Sequence, residues 1–276
     1  MHHILTITWL TFHEARRRKM ALAALLIGII FVSLYAIGFW LIKRELLSNS
    51  MPAIGRSQIY SFLTIAGLYV VHFLAVMLAI FASVDTLAGE ISTHTIQTLV
   101  TKPLLRWQIV LGKWLGFGLM MALFLGMLGG GVLLASGLIS GYTPPHALEG
   151  VALLMFEAQV LIALSLLGGT QLSTLTNGVI LFLLYALAFI GAWVEQIGAL
   201  LQSQAAVRVG IVTSLLLPVE ALWRRASYLM QPPLSNSIPT PFSVSSVPSP
   251  AMVVYAGLYG LLALLLAMRV FGRRDL

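Results

Sequence analysis

The chain has no cysteine, which excludes disulfides and thiolate metal sites and leaves its redox compartment open. Charge is scarce as well. Asp, Glu, Lys and Arg supply 9% of the 276 residues, where a soluble domain carries about 25%. Hydrophobic residues reach 59% and mean hydropathy is +0.96, so most of this surface must face lipid or other helices. Catalytic signatures are missing too. There is no G-x-S-x-G, and the six histidines (His2, His3, His13, His72, His94, His146) show no metal-ligand spacing. At Gly112-Lys113, Trp114 stands where a phosphate loop needs Ser or Thr, and the upstream glycine is absent. No nucleotide site, no cofactor and no enzymatic activity are expected of the chain itself.

What the sequence does have is long apolar runs, at roughly 20–42, 62–84, 109–139, 150–172, 178–200 and 251–270. A bilayer core takes about 20 helical residues at a rise of about 1.5 Å each. The fifth run reaches that length if it continues past Trp193 to Leu200. The expected fold is an all-α integral membrane protein, a single domain over 1–276 with six transmembrane helices. The first run is longer than a signal-peptide core and no small-x-small site follows it, so it is expected to stay as a span.

The basic residues are unevenly placed. Arg16, Arg17, Arg18, Lys19, Lys102, Arg106, Lys113, Arg269, Arg273 and Arg274 fall on one side of a six-span chain, and only six others fall opposite. The positive-inside rule then places both termini in the cytoplasm, with the protein in the plasma (inner) membrane. No basic face interleaved with aromatics is present, so nucleic acid is not an expected partner.

Residues 4–19 read as an amphipathic helix lying in the headgroup layer, with Leu5, Trp9 and Phe12 at helical spacing ahead of a basic cluster. Three glycine pairs at four-residue spacing, Gly112/Gly116, Gly126/Gly130 and Gly137/Gly141, predict close helix packing along the third span. The stretch from Gly141 to Pro145 reads as a turn. Between the fifth and sixth runs lies an apolar piece of about 15 residues broken by Pro218 and Glu220, too short to cross. A seventh crossing would also put the C-terminal arginines opposite the N-terminal cluster. A re-entrant or interfacial element on the outer face is expected instead.

Two ionisable residues, His72 and Glu157, lie well inside spans, where charge is expensive. They form a candidate mid-membrane polar site. Its sharp reading is a proton relay or substrate site. The preferred one is a neutral Glu or His hydrogen-bonded between helices, or lining a dimer seam.

The largest polar segment between spans, 88–114, is the strongest functional signal. Gly89-Glu90 follows the second run, and 91–100 is compatible with a helix bearing Ile91, Thr95, Thr98 and Leu99 on one face. Lys102-Pro103 stops it, since proline disfavours helix in the residue before it. Arg106-Trp107 then marks the return to the bilayer. A short helix pinned between two spans is a stiff lever.

This segment resembles the one that follows the second span in permease subunits of type-2 ATP-binding-cassette exporters. The matching residues are Gly89-Glu90, Thr95-Ile96, Pro103, Arg106 and Gly112-Lys113. The amphipathic N-terminus, six spans and outer element agree with that layout. The resemblance implies a cytoplasmic coupling helix between spans two and three. Its docking residues would be Gly89, Glu90, His94, Thr95, Gln97, Thr98, Lys102, Pro103 and Arg106. It further implies cytoplasmic ATPase partners and a second permease subunit, identical or not. The rival expectation is an ion-coupled secondary transporter using His72 and Glu157. A membrane-bound enzyme is disfavoured by the missing motifs, and a scaffold that docks an ATPase without moving cargo stays open.

Overall fold

The computed structural model describes residues 2–17, 19–92, 105–232 and 246–274, which are helical apart from short connections. Among the described residues there are nine helices: α1 (His2–Arg17), α2 (Lys19–Ser48), α3 (Ala53–Ser92), α4 (Arg106–Ser140), α5 (Ala147–Gly169), α6 (Thr174–Leu200), α7 (Gln204–Leu216), α8 (Val219–Met230) and α9 (Pro250–Arg273). Six of them, α2 to α6 and α9, are long and apolar enough to cross a bilayer. The expected all-α, six-span fold is present.

The spans are not equivalent. In the most apolar stretch of α3, 61% of residues are buried, against 11% for α2 and 22% for α9. α3, α4 and α5 therefore make the centre, joined by Leu68, Val71, Ile109, Leu125, Leu128, Leu161 and Leu166, all fully buried. The other spans lie around them and leave long apolar faces for lipid. With six crossings, both termini lie at one end of the bundle. Arg106, opening α4, donates to the backbone oxygens of Gly272 and Arg274 at the end of α9. This is called the basic end, and the opposite one the hairpin end.

Local chemistry accounts for the helix limits. Leu105 is extended ahead of α4, and its N–H donates to the Gln108 side chain at 3.2 Å. Ser173 caps α6 by accepting from the Thr176 N–H at 3.3 Å. Pro250 occupies the first turn of α9, where its missing N–H is harmless. α3 exceeds the expected 62–84 at both ends, because no breaker intervenes between Pro52 and its close at Ser92. Gly89 and Glu90 therefore belong to the last turn of α3 and do not open a separate helix. His94, Thr95, Gln97, Thr98, Lys102 and Pro103 lie outside the described residues.

The three glycine pairs part company. Gly112 and Gly116 do seat a helix: a Cβ on Gly112 would lie 2.6 Å from Ile7 Cγ2, and one on Gly116 2.8 Å from Thr11 Cβ. Their partner is α1, whose Ile7 and Thr11 are buried there while Leu5 and Trp9 on its other face are exposed. Gly126 and Gly130 meet nothing within 4 Å among the described residues, so the packing expected of that pair is not found there. Gly141 ends α4 at φ 75°, its N–H bonded to Gly137 O at 2.8 Å. That pair is a helix stop, since only a residue tolerant of positive φ closes the turn so.

The apolar piece before the last span folds as α7 and α8, bent by 110° at Leu217-Pro218. Leu217 is extended, as a residue preceding proline prefers. α7 lies tightly on α6 through small residues: a Cβ on Gly191 would strike Thr213, and one on Gly198 would strike Ala206. α8 packs on α5, its Met230 filling the space over Gly150 near the start of that span. Glu220, at the other end of α8, reaches His72 midway along α3. The pair is thus a hairpin dipping from the hairpin end to the middle of the bundle.

Candidate functional site

Inside a bilayer, backbone groups at a helix break need partners, because no water is there to serve them. The bend of the hairpin has such partners. Tyr255 and Tyr259 of α9 donate their hydroxyls to Leu215 O at 2.6 Å and Leu216 O at 2.9 Å. Both are carbonyls from the last turn of α7, which the helix itself leaves unbonded.

Two ionic clusters hold the hairpin to the spans. In the first, His72 Nδ1 lies 3.0 Å from Glu157 Oε2 of α5, and His72 Nε2 lies 3.3 Å from Glu220 Oε1 of α8. All three residues are buried. Trp223, one turn beyond Glu220, stacks on the imidazole with centroids 4.9 Å apart and planes 17° apart. This joins α3, α5 and α8 through one ring, since a histidine has two nitrogens aimed apart. His72 and Glu157, the residues singled out from the sequence, are brought together. Their third partner, Glu220, was legible there only as an interruption of an apolar run.

The second cluster joins α8 to α6 and α7. Arg224 Nη2 donates to Glu195 Oε2 at 2.8 Å, while Nη1 lies 2.7 Å from Glu195 Oε1. Ser214 on α7 accepts from the same guanidinium at 3.2 Å, and Ser246 donates to Glu195 at 2.6 Å. One hydrogen bond through Nη2 and a second close ion contact through Nη1 hold the guanidinium against both carboxylate oxygens. Arg225 donates to Pro248 O at 3.0 Å, tying the approach to α9 to the hairpin. Sequence reading missed this cluster. Glu195 and Arg224 stand 29 residues apart, and nothing local relates them.

At the basic end, the Glu90 carboxylate at the close of α3 meets Lys113 Nζ of α4 at 2.5 Å. Lys113 is buried, its stem covered by the helices around it. Arg106 bonds to the backbone closing α9, and Arg274 donates to Thr170 O just past α5. Of the expected docking residues, Glu90 and Arg106 thus engage this chain's own framework, and Gly89 packs on Asp85 within α3. The roots of the 93–104 segment are bound to each other and to the central spans. Among the described residues no group of His, Cys, Asp and Glu could hold a metal ion.

A family model described as "ABC-2 family transporter protein" matches residues 5–276. The chain belongs to the ABC-2 transporter family. No curated protein matches it. As an ABC-2 membrane component it is a multi-pass transporter protein, and the resemblance carried by residues 89–113 is in accord with that membership. The match runs over nearly all of α1, all six spans and the hairpin, so both ionic clusters belong to the ABC-2 portion.

Proposed function

We propose that this ABC-2 protein is the permease subunit of an ATP-driven exporter in the plasma (inner) membrane, with both termini cytoplasmic. A separate cytoplasmic ATPase docks at the 93–104 segment, and a second permease subunit, identical or different, completes the pathway. The exposed Leu5 and Trp9 face of α1 lies in the headgroup layer beside that dock. The observation that carries the reading is the Glu90–Lys113 bridge at the root of the segment. A force on a loop reaches the spans only if the ends of the loop cannot slip, and here both ends belong to the central helices α3 and α4. The permease then needs two packings of its bundle that the nucleotide state of the ATPase biases differently.

The test is co-purification of a cytoplasmic ABC ATPase with this chain, with permease-stimulated ATP hydrolysis as the second readout. Charge substitutions at Thr95 and Gln97 should abolish both while leaving the spans assembled. Unchanged docking and stimulation would refute the segment's role. Sidedness is tested with single cysteines, clean in a chain that has none. A cysteine replacing exposed Leu201 should react with an impermeant reagent in intact cells, and one replacing exposed Gln171 only after permeabilisation.

The buried His72–Glu157–Glu220 cluster favours one second reading, an ion-coupled secondary transporter. Transport that persists without any ATPase and collapses with the proton gradient would select it.

A further inference from the structure

We propose that the His72–Glu157–Glu220 cluster binds an exchangeable proton on Glu157, so that docking of the α7–α8 hairpin takes up one proton from water and its lifting releases one. The inference is independent of what the chain transports. It begins with a count. Each imidazole nitrogen is within hydrogen-bonding distance of a different carboxylate, at 3.0 and 3.3 Å. Two such hydrogen bonds need two protons. Drawn as an imidazolium between two carboxylates, or as a neutral ring beside one acid, the three groups then sum to one negative charge.

Among the described residues, nothing around the cluster balances that charge. From α3 it is faced by Tyr69, which packs on Trp223 and His72, and from α6 by Tyr185, within electrostatic reach of both carboxylates. A protonated tyrosine brings no charge. Arg224, on the same helix as Glu220, is already neutralised by Glu195. Among the described residues, no lysine or arginine pairs with Glu157 or Glu220. A third proton makes the cluster neutral, which the interior of a bilayer strongly favours.

Two observations assign that proton to Glu157. Its second oxygen, Oε1, is buried and has no hydrogen-bond partner among the described residues. A crevice lined by His72, Ala75, Val76, Leu154 and Ala158 borders the carboxyl and offers it no other polar side chain. An unpartnered oxygen is far cheaper to bury as part of an acid than as part of an anion. Glu220, in contrast, sits in the first turn of α8, where the helix dipole supports a negative charge. Glu157 lies mid-helix and has no such support.

When the hairpin lifts, water reaches Glu157, which loses its proton at neutral pH and stays as a carboxylate against the His72 imidazolium, so that one proton leaves. The docked state therefore binds more protons than the lifted one, and docking must weaken as pH rises.

The test uses the full chain in lipid nanodiscs with a single cysteine replacing Ser227, which is buried on α8. Its labelling by an impermeant maleimide reports lifting. Rates are compared between the Glu157 chain and Glu157→Gln at each pH, so that the thiol's own pH dependence cancels. The expected ratio climbs from acidic to alkaline buffer with a slope approaching tenfold per pH unit, the signature of one linked proton. A ratio that stays flat overturns the proposal. The unmutated chain gives a second reading that needs no variant: a protonated-carboxyl infrared band at neutral pH that fades in alkaline buffer. Absence of that band also overturns the proposal, and a band that survives in Glu157→Gln overturns the assignment to Glu157.

Discussion

The hairpin is held by two buried ionic clusters of different character. Glu195 and Arg224 are one anion and one cation, joined through both carboxylate oxygens and braced by two serines. His72, Glu157 and Glu220 are two acids around one base, with one oxygen left over. The first sets one negative group against one positive group. The second is balanced only when an extra proton is present. The same helix, α8, thus carries one charge-matched contact and, a turn away, one whose charge balance depends on a proton. Each cluster uses a residue of α8 aimed at a different neighbour, so breaking either loosens one side of the hairpin.

The largest effect is expected from Arg224→Met, which leaves Glu195 buried without its cation. Losing one partner of a buried pair costs roughly 3–5 kcal/mol, seen as a fall in thermal stability of the purified chain. The double change with Glu195→Met should recover most of it, since apolar groups of similar volume often replace a buried pair without loss. If the single change is silent, the pair does not hold the hairpin and the contrast between the clusters fails.

Next in size is His72→Phe, which keeps an aromatic face for Trp223 but strands two carboxyls. A loss of about 1–3 kcal/mol is expected, larger in alkaline than in acidic buffer, because protons can neutralise the stranded acids. A loss independent of pH would mean that the acids never carry the charge. Tyr259→Phe removes one donor from the bend, and about 1 kcal/mol should go with it. That experiment separates the bend from both clusters. The smallest loss is expected from Glu157→Gln, about 1 kcal/mol or less in acidic buffer, because the amide keeps the shape and an acceptor while resembling the protonated acid. The variant should become the more stable chain as pH rises, because it has no proton to take up. Transport should survive it. Loss of transport with normal assembly would move the balance toward the ion-coupled reading.

How far the sequence was legible depends on the range of the force concerned. Six spans could be read from runs of apolar residues, because the match between a helix and a bilayer is local in the chain. Their ends could not, and α3 runs well past its apolar core since polar helix formers continue it to Ser92. Glycine spacing named three candidate seats, of which Gly112/Gly116 holds α1, Gly126/Gly130 holds nothing among the described residues and Gly137/Gly141 leads to a helix stop. A small residue permits close approach without choosing what approaches. At the candidate site His72 and Glu157 stood out, since charge inside an apolar run is conspicuous wherever it falls. Their contact with Glu220, 148 residues from His72, did not.

Composition and periodicity by themselves determined that this chain lives in a membrane, crosses it six times and is broken before its last crossing. Each of those follows from one segment and its solvent. Only the tertiary structure decided that the broken piece dips to the middle of the bundle, that Tyr255 and Tyr259 serve its open carbonyls, and that three titratable side chains meet around one imidazole ring. Those facts depend on which helix faces which. In lipid, every apolar face is equally well solvated, so the choice rests on interlocking shapes and on polar groups that must find one another across the fold.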